Sequence, residues 1–266
     1  MKWLRTLVLF DKGDVVTSSD WEALHAAYVR AIERIEHPRG AGKLKLRRKV
    51  YHKDSKQWDR NGVTPMKKQF LRSMVDDEKW RPEGDFKIGS PTKLSAIRLY
   101  PELTRHQEEI TSEFGAFDFI TSTPAGMHVA IEWETGNISS SHRSMNKLAI
   151  ALAAGQIQAG VLVVPSRDLY QHLTDRIGNI GELSPYLPMW SGLSSTVDRG
   201  VLAVTVVEHD ELTDDETLPY LGMGKDGRGA EGKLKRLAAK KKLVAANRKL
   251  AAATGKQASL KKAPTR

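Results

Sequence analysis

The sequence predicts an α/β domain with a central mixed β-sheet flanked by helices, and three observations lead there. GVLVVP at 160–165 is a fully apolar run and GVLAVTVV at 200–207 is apolar but for Thr205, both of the kind that form buried strands. HVAIEWE at 128–134 alternates instead, with Val129, Ile131 and Trp133 on one face and Ala130, Glu132 and Glu134 on the other. Helical stretches separate these runs, and strands alternating with helices make a sheet covered by helices.

The 266 residues suffice for one large domain or two small ones, and the 40% hydrophobic content is that of a globular protein. The N-terminal MKWLRTLVLFDKGD has an apolar patch too short for a membrane span and lacks the cleavage site of a signal peptide. The absence of cysteine rules out disulfides, thiolate zinc sites and cysteine catalysis, so a reducing cytoplasm is the expected compartment. The net charge of +10 is unevenly placed: residues 225–266 hold 14 Lys and Arg against 2 Asp and Glu, whereas residues 1–224 hold 28 against 30. The chain thus divides into a nearly neutral domain, 1–224, and a basic Ala/Lys-rich tail, 225–266. The tail is a solvated, flexible extension or a non-specific grip on a polyanion, and cannot itself supply specificity.

In chain order, residues 15–36 read as a helix starting near the Ser-Ser-Asp cap, with Trp21, Leu24, Ala27, Tyr28, Ile32 and Ile35 as its apolar stripe. HPRGAG ends it. Residues 43–60 are basic and alternate around Val50 and Tyr51, suggesting a strand or hairpin whose lysines and arginines could meet phosphates or simply form a solvated face. Asn61-Gly62 and Pro65 mark a turn into a helix carrying Phe70, Leu71 and Met74, broken by RPEGDF. EFGAFDFIT at 113–121 reads as a short strand, with Phe117 and Phe119 on one side of Asp118, and TPAG turns it into the 128–134 strand. Gly136-Asn137 and a serine run then lead into a helix with Met145, Leu148, Ala149 and Leu152 on one face. DLYQHLTDRIGNI, between the two apolar strands, reads as a helix or helix end.

The candidate chemistry lies at 118–143. Side chains two apart on a strand are rooted roughly 6.5 to 7 Å apart, so Glu132 and Glu134 could address one metal ion, one water or one scissile bond. The plain alternative is a half-exposed strand with a solvated Glu face. An aspartate followed by Glu-x-Glu, with Asn, Ser and Arg close behind, suits metal-assisted phosphodiester cleavage: one or two magnesium ions held by carboxylates can activate water and neutralise the phosphate. Many proteins contain such a pattern by chance.

The particular residues say more. IEWETGNISSSHRSMNKLAIAL is similar to the central segment of the BamHI-like family of type II restriction endonucleases, a variant of the Asp/Glu-x-Lys nucleases with Glu134 where lysine is usual. The similarity continues through HLTDRIGNIGELSPY, and NGVTPMK and GAFDFI resemble the family's upstream turn and aspartate segment. It is dense over 113–186, patchy over 61–83, and not evident over the first 40 residues or the tail.

The resemblance implies a restriction-endonuclease-like fold and a catalytic set of Asp118, Glu132, Glu134 and Glu83. Two Mg2+ ions per site would be held by Glu83, Asp118, Glu132 and the main-chain carbonyl of Trp133, with Glu134 as general base. Glu78 or Asp77 could serve in place of Glu83. It further implies DNA contacts from Asn137, Ser139, Arg143, Asp175, Arg176 and Lys67, chemically apt for base edges. The implied substrate is double-stranded DNA at GGATCC, cut after the first G to leave 5′ overhangs by a homodimer, with a companion DNA methyltransferase in the host. Asp226-Gly227 resembles the start of a C-terminal segment that can reach the minor groove. A glycosidase using Glu132 and Glu134 would instead want an aromatic cleft; a non-cutting DNA-binding relative would not need every carboxylate. His142, alone at a helix start, reads as a cap or packing residue.

Overall fold

The computed structural model of the chain describes residues 1–80, 100–101, 116–174 and 177–222. In chain order the elements are β1 (Lys2–Lys12), α1 (Ser19–Glu33), β2 (Lys45–Arg47), β3 (Val50–His52), β4 (Gln57–Asp59), α2 (Thr64–Asp76), β5 (Phe119–Ser122), β6 (His128–Trp133), α3 (Ile138–Ala153), β7 (Ala159–Pro165), α4 (Arg167–Tyr170), α5 (Ile180–Leu183), α6 (Leu187–Ser191), β8 (Gly200–Glu208) and β9 (Glu211–Thr213). The main sheet has the order β1-β8-β7-β6-β5. Its centre is parallel (β6 with β7, β7 with β8) and its outer pairs, β1 with β8 and β5 with β6, are antiparallel. The mixed sheet predicted from sequence is the sheet observed.

Alternation sends the two sides of each central strand into separate cores. Val129, Ile131, Trp133, Val161 and Val163 pack with Trp21, Leu24 and Tyr28 of α1 and Phe70 and Met74 of α2. Ala130, Leu162, Leu202 and Val204 pack instead with Met145, Leu148 and Leu152 of α3 and with Trp190. β7 is buried at every position, as the unbroken apolar run requires. No helix among the described residues is long and apolar enough to cross a membrane.

Four local readings change. The N-terminal apolar patch, not anticipated as an element, is β1; its register against β8 shifts between Trp3 and Arg5 and again between Val8 and Phe10, and such bulges break a regular alternation. Phe117 and Phe119 join opposite cores, because the strand begins only at Phe119 and Phe117 lies outside its period. The cap of α3 is Asn137, whose side chain accepts from the Ser140 N–H, rather than a serine. Finally, α4 stops at Tyr170 because Asn61 takes the next backbone groups: its N–H donates to the His172 carbonyl at 3.1 Å and its carbonyl accepts from Thr174 at 2.8 Å. The basic stretch divides in two, with β2 pairing in parallel with β9 and β3 with β4 forming a separate hairpin.

Candidate active site

The C-terminal end of β6 positions the carboxylates. Trp133 turns into the α2 side, its ring centroid 5.0 Å from that of Phe70, so its neighbours Glu132 and Glu134 must face α3. The Glu134 N–H donates to the Val163 carbonyl at 2.9 Å, carrying the ladder one residue beyond the strand and keeping Glu134 in register. Both glutamates are buried, at 6% and 3% exposure, which removes the solvated-face alternative.

The antiparallel register Phe119 to Ile131, continued by one residue, sets Asp118 opposite Glu132. One Asp118 oxygen accepts from the Trp133 N–H at 2.9 Å and the other pairs with the Lys67 ammonium of α2. Glu132 pairs with the Lys147 ammonium from the middle of α3. That ammonium also donates to the Ala116 carbonyl at 2.8 Å and lies 4.5 Å from the centre of the Phe117 ring. One buried lysine therefore ties α3 to both carboxylate-bearing segments.

The electrostatics follow from this packing. Burial, and then the neighbouring charge of Asp118, push the Glu132 carboxyl above its ordinary range, against the pull of Lys147 and Lys67. Burial pushes Glu134 up to about 7, against the downward pull of the neighbouring Ser141 hydroxyl and the Gly136 and Thr135 N–H groups. Glu134 Oε1 accepts from Gly136 at 2.5 Å, whereas Oε2 is buried without a hydrogen-bond partner. The turn needs glycine here, since a Cβ on Gly136 would meet Ser140 Oγ at 2.5 Å and Glu134 Oε1 at 3.3 Å.

Directly behind the carboxylates stand Asn137, Ser139 and Arg143, all exposed at the start of α3. Ser139 and Arg143, four apart, share a face. The Asn137 side-chain carbonyl is committed to capping, accepting from Ser140 at 3.1 Å, which leaves its amide nitrogen for another partner. Glu83, Asp175, Arg176, Asp226, Gly227 and the basic tail lie outside the described residues. On either side of 175–176 the chain is fastened, by Asn61 at 172–174 and by the Gly178 N–H donating to the Gly136 carbonyl at 3.0 Å.

The remaining candidates divide. Lys67, expected as a DNA contact, pairs with Asp118 in the site, and the others sit elsewhere. Glu78 is held by Arg30 of α1 and Arg34 just beyond its end, and Asp77 accepts from Ser73, so both are occupied at the seam between α1 and α2. His142 packs edge-on against Tyr186, with centroids 4.3 Å apart, as a packing residue would. Two residues escaped the sequence reading, Lys147 and Ser141. The available signal for Lys147 was its position between Met145 and Leu148, a lysine inside an apolar stripe.

Among the described residues no group of three or more His, Asp or Glu is placed to hold a metal ion. The donors are nonetheless hard oxygens suited to magnesium, Glu134 offers an orphaned buried oxygen, and the mutual repulsion of Asp118 and Glu132 is of the kind a divalent cation relieves. Asp118, Glu132 and the Trp133 carbonyl are the groups that would hold it.

A mixed sheet with facing carboxylates at one end, backed by an exposed polar helix start, is a restriction-endonuclease-like α/β fold. The family described as "Restriction endonuclease BamHI" matches residues 1–228, and the chain belongs to this family of type II restriction endonucleases. The type II restriction enzyme OkrAI of Oceanobacter kriegii is 34% identical over 171 residues, covering 63% of this chain and 73% of that protein. The type II restriction enzyme BamHI of Bacillus amyloliquefaciens is 34% identical over 134 residues, 50% of this chain and 55% of that protein. The crystal structure of the restriction endonuclease BglII complexed with a DNA 16-mer aligns over 78% of this chain and 79% of that one, with a TM-score of 0.48 and 7% identity.

Proposed function

We propose that the protein hydrolyses double-stranded DNA with Mg2+ at the palindrome GGATCC, cutting after the first G to leave 5′ overhangs. The observation that carries the reading is the placement of Asp118 opposite Glu132, with Glu134 next on the same face and Asn137, Ser139 and Arg143 immediately behind. The base sequence itself rests on the resemblance of the 131–152 segment to the BamHI-like enzymes.

In this reading Glu134 takes the proton of the attacking water at Oε2, while the Gly136 N–H holds Oε1 and fixes the carboxyl plane. Magnesium, when bound, supplies positive charge for the developing phosphate and leaving oxygen. Asp118, Glu132 and the Trp133 carbonyl would hold it, with Glu83 as the further ligand that the family resemblance implies. Lys67 and Lys147 balance the carboxylates and keep them aimed. Arg143, with two parallel donors, suits guanine O6 and N7, and Asn137, Ser139, Asp175 and Arg176 complete the base contacts.

A palindrome read by identical halves calls for a homodimer, each subunit cutting one strand. The endonuclease domain is 1–224, and the 225–266 tail adds general affinity for DNA, so its deletion flattens the salt dependence of binding without moving the cut. The host, in whose cytoplasm such an enzyme works, carries a companion methyltransferase.

Digestion of a sequenced plasmid with Mg2+, with an EDTA control and sequencing of the ends, tests the whole reading. Ends at GGATCC are expected. Ends elsewhere would remove the site but keep the nuclease, and an intact plasmid would leave a DNA-binding protein without cleavage.

A further inference from the structure

We infer that the β3–β4 hairpin is a second DNA contact, a clamp on the duplex flanking the recognition site. This rests on the proposed action on double-stranded DNA and adds a surface to it. Tyr51 and Trp58 are cross-strand partners with ring centroids 4.9 Å apart, and each is 44% exposed. Lys49 Nζ lies 4.5 Å over the Trp58 ring. The turn exposes Lys53 and Lys56, and residues 43–56 hold seven Lys and Arg against the single Asp54. Such a pair of rings helps hold a short hairpin together, but their exposure beside lysines also suits a sugar-phosphate edge.

The root of the hairpin ties it to the chain just ahead of two of the proposed base contacts. Asn61, fully buried two residues after β4, donates from its side chain to the Arg47 and His172 carbonyls at 2.9 Å each, and its backbone holds 172 and 174. The hairpin is thus fastened to the segment that leads directly into Asp175 and Arg176. Three-residue strands span roughly 10 Å, about three base pairs of duplex. The basic charge selects DNA over a second copy of the chain, since a symmetric self-contact would set this face against itself.

The test uses the full chain in EDTA with fluorescein-labelled GGATCC duplexes, one with minimal flanks and one with a further helical turn on each side. The long duplex is expected to bind on the order of tenfold tighter than the short one. Lys53→Ala/Lys56→Ala should lose most of that advantage, lower the salt slope on the long duplex by about two per subunit, and leave the short duplex within about twofold. Tyr51→Thr/Trp58→Thr should lose part of the advantage with the slope unchanged. The inference is overturned if the lysine variant keeps both the length advantage and the slope, or if the aromatic variant turns a dimer into a monomer while flank dependence stays intact. A wild-type chain that fails to prefer GGATCC over a shuffled duplex would sink the proposed site instead, and the flank readout, being independent of base sequence, would still be interpretable.

Discussion

Helix α3 carries two regions of opposite physical character. Its middle is buried and charged: Lys147 and Glu132 pair where each side chain is only 8% exposed. Its first turns are exposed and polar, with Asn137, Ser139 and Arg143 facing solvent. The buried region is fixed by the protein itself, through strand register, backbone donors and lysines, and the carboxyls it faces at the end of β6 are pushed out of their ordinary range by burial. The exposed end leaves these side chains at the surface, where a partner can reach them. Groups that do chemistry must be preorganised before substrate arrives, whereas groups that read sequence gain by staying solvated until a matching surface replaces the water.

The comparison breaks most sharply at Glu134. Glu134→Ala should slow cleavage on the order of 10² to 10⁴-fold, the range for loss of a general base, while binding to GGATCC duplex in EDTA stays within severalfold. Single-turnover rates and gel-shift affinities on one preparation would check both halves; undiminished cutting would remove Glu134 from the base role. Next comes Lys147→Met, which leaves Glu132 uncompensated in a buried site. A loss of about 3–5 kcal/mol in unfolding free energy is expected in denaturant titration. Adding Glu132→Gln should recover part of it, because the two changes act on one interaction. If the double variant is no more stable than Lys147→Met, the buried pair is not what holds the middle of α3.

At the exposed end the expected effects are smaller. Arg143→Ala should cost about 1–3 kcal/mol of discrimination between GGATCC and a site with one substituted G·C pair, with melting temperature unchanged. Competition binding against substituted duplexes reads this directly. Equal losses on matched and substituted sites would make Arg143 a phosphate contact instead.

Much of this division was legible in the sequence, and the reasons are local. The period-two alternation at 128–134 placed Trp133 and the glutamates on opposite faces, and the structure keeps them there. The stripe of Met145, Leu148 and Leu152 faces the sheet as its spacing required. Contacts that depend on long-range register could not be read this way. Nothing local shows that Lys147 would meet both Glu132 and Ala116, or that Lys67 would choose Asp118, because those meetings are set by how α2 and α3 lie across the sheet. β1 was missed for a related reason: its bulges against β8 blur the period that marks a strand.

A last and smallest effect asks whether burial alone, away from the carboxylates, perturbs a titrating group. His25 of α1 packs against the rings of Trp3, Trp21 and Tyr28, and burial lowers its pKa below the ordinary 6.5. Its neutral form is therefore favoured in the folded chain. Below pH 6.5 the unfolded chain binds a proton that the folded chain resists, so the stabilisation from neutral His25 is full above that pH and is lost as pH falls through the lowered value. One such group contributes a slope of under about 1.4 kcal/mol per pH unit. His25→Gln, which keeps a polar atom near Thr6, should flatten the stability profile between pH 7 and 5 relative to the unsubstituted chain, with cleavage at GGATCC unaffected. Denaturant titrations across that range decide it. An unchanged slope would mean that His25 is solvated enough to titrate normally.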